Sequence, residues 1–134
     1  MKKQFSIIAL ILLGAFVFMS MTLRSTIQEP WTVPAKYEKM ENPFAGAADA
    51  ENVGRMLYSK HCKSCHGSKG KGDGPKADSV DTEMGDITGD TFKSQSDGAV
   101  YYKTFIGRDD MPSFQKKITD KEQQWKLVNY VKGL

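Results

Sequence analysis

The 134-residue chain has two cysteines, two histidines and five prolines. Two cysteines cannot build a disulfide scaffold, and alone they cannot fill a four-cysteine zinc site. There is no collagen, repeat or low-complexity pattern. At roughly 100–150 residues per domain, the length allows one domain and an appended segment. The formal charge of +3 is small, and it belongs to one end. Lys2, Lys3 and Arg24 hold three of the 19 basic residues, so the 16 that follow balance the 16 acidic ones. A chain neutral beyond Arg24 gives no support to nucleic-acid binding.

The segment that carries that charge is otherwise apolar. Ile7 to Met19 is unbroken, and from Phe5 to Leu23 the run reaches 19 residues. A helix of that length spans roughly 30 Å, enough to cross a bilayer. A basic start before an apolar run also fits a secretory signal peptide. No Ala-x-Ala follows the run, and Ser20-Met21-Thr22 is a poor cleavage site. An uncleaved anchor over residues 1–24 is therefore favoured over a cleaved signal. No cysteine follows the run to accept a lipid. Lys2 and Lys3 place the remainder on the extracytoplasmic, periplasmic side, at the cell membrane or soluble there after cleavage.

Residues 25–48 carry Pro30, Pro34 and Pro43, with Trp31, Tyr37 and Phe44 among polar residues. Proline density predicts an extended tether of up to roughly 80 Å. Trp31 suits a membrane interface, or else packing on the domain surface.

The chemistry lies in Cys62-Lys63-Ser64-Cys65-His66. This is C-x-x-C-H, the attachment pattern for c-type haem. Two thiols on one turn can each add to a haem vinyl group, and the adjacent imidazole can face the iron. Three alternatives are weaker. A thioredoxin-type redox pair follows a strand, whereas Glu51 to His61 reads as helix. A zinc site needs two more ligands, and His61, best read as an exposed helix residue, is badly placed to help. A Cys62–Cys65 disulfide closes too small a loop to stabilise much.

For the second axial position the later chain offers Met84, in an acidic loop, and Met111, which follows a helical segment and precedes Pro112. Met111, fixed by Pro112 and with Phe114 nearby to cover haem, is the better candidate. Met84 or an open site is the alternative. A thioether ligand favours the ferrous state and raises the potential.

Three helices are predicted, at about 49–64, at 97–106 with Gly107 as its C-terminal cap, and from a Thr119-Asp120-Lys121-Glu122 capping box to the end. With these elements in place the chain resembles class I monohaem cytochromes c over residues 49–134. The shared features are Gly54-Arg55-Met56-Leu57-Tyr58 before the Cys62–His66 motif, the glycine-rich Gly70–Pro75 stretch, Met111-Pro112, and Trp125 with Tyr130. The resemblance implies an all-α, cytochrome c-like haem-wrapping domain holding one covalent haem c. It implies one-electron transfer with redox protein partners and no small-molecule substrate. It further implies that Tyr130 crosses Gly54, and that the Pro75 carbonyl accepts a hydrogen bond from His66. The acidic loop from Asp78 to Asp90 is less typical of that family.

Function then reads as an electron carrier between respiratory complexes, tethered to the membrane or exported. A permanent subunit of a larger oxidoreductase or terminal oxidase is the alternative. A gas- or peroxide-binding protein is a more distant one. Arg55 to Lys76 carries six basic residues and one acidic, so docking on an acidic partner would be salt-sensitive. An 86-residue domain with few apolar clusters would be marginal without haem in its core.

Overall fold

The computed structural model describes residues 30–49 and 51–134, so the expected anchor over 1–24 lies outside the described residues. Among the described residues no helix is long and apolar enough to cross a membrane. The described residues form six helices, in order α1 (Ala35–Glu38), α2 (Val53–His61), α3 (Lys63–His66), α4 (Asp90–Lys93), α5 (Asp97–Ile106) and α6 (Lys121–Lys132). A 3-10 turn covers Ala77–Ser79. The described residues contain no strand, only an isolated bridge between Arg108 and Met111. The expected helical class is what the chain forms.

Each main helix starts where a side chain satisfies its free N–H groups. Asp49 reaches forward, its two oxygens accepting from the Val53 and Gly54 amides at 3.0 and 2.7 Å. The predicted start at 49 therefore moves to Val53: Asn52 sits at φ 55°, outside helical geometry, and Asp49 caps from before it. Ser96 accepts from Ala99 and opens α5 at the expected residue. The Thr119/Glu122 capping box does not form. Asp120 is the cap instead, accepting from the Gln123 amide at 2.8 Å, because a carboxylate also meets the positive end of the helix dipole. Glu122 turns to Lys126 one turn on, at 2.9 Å.

The core is assembled from α2, α5 and α6. Tyr58, Val100, Phe105, Leu127 and Val128 are its most buried apolar side chains. Tyr101 stacks between Phe105 and Trp125, with centroids 4.7 and 4.6 Å away. Helices α2 and α6 cross at Gly54. A Cβ there would strike the Lys126 carbonyl and come within 2.8 Å of the Tyr130 Cβ. The expected pairing of Gly54 with Tyr130 is what allows this approach. Tyr130 then meets Tyr58 at 5.5 Å.

The stretch expected to be a tether is, from Trp31 on, part of the same compact unit as the helices, which runs to Leu134. Tyr37, Met40 and Phe44 pack against the core. The Tyr37 ring lies 4.7 Å from Tyr102. Gly98 lets this segment sit directly on α5, since a Cβ there would collide with the Tyr37 carbonyl. A polar knot fixes it further. Asn42 donates to Asp97 and Asn129, and Asn129 donates to the Phe44 carbonyl. Lys132 completes the knot with an ion pair to Asp97 at 2.6 Å. Apolar side chains spaced among prolines had looked like linker residues, yet each has a seat.

Two predictions follow from these contacts. Gly54→Ala adds about 1 kcal/mol of helix propensity but overpacks against backbone that cannot yield, at about 3 kcal/mol. Thermal unfolding should show a net loss of about 2 kcal/mol, whereas Gly89→Ala, whose new carbon meets only the Asp86 carbonyl at 3.9 Å, should show almost none. Asp97 supplies the pH dependence. Burial alone would raise its pKa, but hydrogen bonds from Lys132 and Asn42 and the Lys132 charge hold it below the usual carboxylate value. A lowered folded pKa means stability present above the unfolded value of about 3.9 and lost as pH falls through the folded one. Urea midpoints should drop less between about pH 6 and pH 3 in Asp97→Asn than in the wild type.

Candidate haem site

The two thiols and the imidazole are brought together by a break between helices. Helix α2 ends at His61, Cys62 stands outside it at φ −115°, ψ −36°, and α3 resumes at Lys63. The Cys65 and His66 amides both donate to the Cys62 carbonyl, at 3.1 and 3.0 Å. One tight turn therefore presents Cys62, Cys65 and His66, as the spacing requires.

The glycine-rich loop folds back onto this turn. Gly72, Gly74 and Lys76 donate to the carbonyls of His66, Cys65 and Ser64 at 3.0, 3.1 and 2.8 Å. Gly74 has to be glycine, because a Cβ would sit 2.6 Å from the Cys65 carbonyl. Tyr58 anchors the far side, its buried hydroxyl donating to the Gly67 carbonyl at 2.8 Å. Pro75 is thus carried to the motif on both flanks, but it is exposed. The hydrogen bond expected from His66 to the Pro75 carbonyl is not made: His66 Nδ1 is buried and has no partner.

The chemistry of the three side chains suits covalent attachment of a porphyrin better than the alternatives. Cys62 and Cys65 are free thiols, not a disulfide. Burial, and then the neighbouring Cys65, pushes the Cys62 thiol up to about 12. Among the described residues no group of three or more His, Cys, Asp or Glu could hold a metal ion. Burial lowers the pKa of His66, which keeps its imidazole neutral and able to donate a lone pair. A half-buried imidazole whose Nδ1 is buried and unpartnered, beside two cysteines free of any disulfide, fits haem c.

Met111 comes from a separate element. After α5, Gly107 turns the chain at φ 77°, and Arg108 and Met111 exchange two backbone hydrogen bonds of 2.9 Å across a tight turn. Met111 is half-buried. The strand of chain behind it reaches the motif through Phe114, which is 5 % exposed and whose ring lies 5.6 Å from His61. His61 is therefore not the exposed helix residue expected. It is half-buried, and burial, then the charges of Lys60 and Lys117, lower its pKa. Met84, the alternative ligand, lies by Gly72, where a Cβ would be 3.2 Å from its own Cβ.

Sequence reasoning had assigned nothing to Asp110 or Arg108, and had left Trp31 between a membrane interface and the domain surface. Asp110 binds the acidic loop, accepting from the Asp81 amide, the Thr82 amide and the Thr82 hydroxyl at 3.1, 2.9 and 2.7 Å. Trp31 lies under the Arg108 guanidinium, 4.7 Å from its ring centroid. No local motif marks such long-range pairs. The segregated charges also meet: Lys71, from the basic stretch, pairs with Asp86 of the acidic loop at 2.8 Å.

A helical body closed around a C-x-x-C-H turn, with the first long helix crossing the last, is that of a class I c-type cytochrome domain. The chain belongs to the family described as cytochrome C oxidase, cbb3-type, subunit III, whose model matches residues 49–131. None of the curated proteins compared with the chain matches it.

Proposed function

We propose that this protein transfers single electrons through one covalently held haem c, on the extracytoplasmic side of a membrane. The observation that carries the reading is the turn at Cys62–His66, with both thiols unpaired and His66 Nδ1 buried and unpartnered. Bound there, haem supplies a one-electron iron couple. Cys62 and Cys65 would hold the porphyrin through thioethers, and His66 and Met111 would supply the ligands to its iron. The chain's own part is to keep these groups still. The Gly72–Lys76 backbone bonds fix the motif, the Arg108–Met111 bridge fixes the methionine, and neither needs to move for an electron to pass.

The partners on this reading are respiratory redox proteins. Arg55, Lys60, Lys63, Lys69 and Lys76 are exposed around the motif, which favours an acidic docking face. The family description favours a second reading, in which the chain is a standing subunit of a terminal oxidase. Elution together with an oxidase after mild detergent extraction supports the subunit; elution alone supports the carrier. The apolar run at residues 5–23 supports a membrane anchor under both readings.

The axial ligand gives the spectroscopic test. The ferric full-length protein should show the weak near-red sulfur-to-iron band, and Met111→Ala should abolish it and lower the reduction potential. A Met111→Ala spectrum that keeps the band, with Met84→Ala losing it, would move the ligand to the acidic loop.

A further inference from the structure

The turn that presents Met111 is pinned by residues far away in sequence. Its second residue, Asp109, sits at φ 51°, a left-handed conformation uncommon outside glycine. The contacts that hold the turn from outside come from the next residue. One oxygen of Asp110 accepts from two consecutive backbone amides and a hydroxyl, at Asp81 and Thr82, 28–29 residues earlier. This joins the acidic loop, which is not typical of the cytochromes the chain resembles, to the turn of the ligand candidate. On the other flank Trp31 stacks on Arg108, the residue that bridges to Met111.

We propose that Asp110 is a positioning residue for Met111: it fastens the axial turn to the loop at Asp81–Thr82, so that the thioether resists displacement by other ligands. The inference rests on Met111 as the sixth ligand, proposed above. A methionine held only by its own turn would detach at the cost of two backbone hydrogen bonds. Fastening the turn outside adds three more, each to a charged acceptor, and these must be strained or broken for Met111 to leave. The acidic loop thereby acquires a role that its sequence does not display.

The test is competition by imidazole, an external nitrogen ligand, followed by loss of the near-red band in the ferric full-length protein. Asp110→Ala should bind imidazole about tenfold more tightly than wild type, the effect of losing roughly one net charged hydrogen bond at an exposed site. Asp110→Asn keeps an acceptor and should stay within about threefold of wild type. Asp86→Ala, in the same loop but bonded to Lys71 and Thr88 instead, should match wild type. Should Asp110→Ala lose its helical circular dichroism, Thr82→Val removes one donor alone and should tighten imidazole by about twofold. Equal imidazole affinity in wild type and folded Asp110→Ala, with the band present in both, overturns the positioning role and leaves the ligand assignment intact. A wild-type ferric protein without the band overturns the ligand assignment and this inference with it.

Discussion

Two thiols three residues apart can reach the same flat ring only if the chain between them makes a single tight turn, with the next side chain facing inward. The break after His61 meets that constraint, and much of the molecule holds it in place. Helix α2 delivers the turn, and Gly54 lets α2 lie against α6 so that its C-terminal end is fixed. Tyr58 ties the exit of the turn to the core. The Gly72–Lys76 backbone covers its carbonyls, leaving few soft degrees of freedom. A rigid frame of this kind suits electron transfer, which is fastest when little has to rearrange between redox states.

The turn proposed to supply the methionine ligand is built differently. Met111 lies on a short turn whose own hydrogen bonds number two. Its location depends on what surrounds it: Phe114 behind, packed on His61; Asp110 beside it, bonded to the acidic loop; and Trp31 over Arg108. The attachment side is thus fixed by local backbone geometry and the methionine side by long-range contacts. The N-terminal segment also takes part in the fold. Through Asn42 it bonds to Asp97 of α5 and Asn129 of α6, and Lys132 of α6 pairs with Asp97.

What could be read in the sequence divides along the same line. The C-x-x-C-H spacing is chemistry written in five adjacent residues, and the helix periods at 97–106 and 121–132 are local patterns, so these were legible. The Gly54–Tyr130 crossing was legible because the resemblance supplied it. The strap was not, because Pro34 and Pro43 around Tyr37, Met40 and Phe44 read as linker, and the seats of those side chains are made by α5 and α6. Nor were the Asp110 bonds, since an exposed acidic residue in a turn reads as solvated until Thr82 is seen against it. The cap of α6 moved by one residue because Thr119 and Asp120 are both good caps, and the Asp120 carboxylate also meets the positive end of the helix dipole.

All of this rests on haem being attached at Cys62 and Cys65. Mass spectrometry of the full-length protein, produced in cells that attach haem and digested to the peptide containing Cys62–His66, measures it directly. The account predicts that peptide carrying the mass of one haem on its two cysteines. The same peptide recovered from such cells with two unmodified thiols would contradict it.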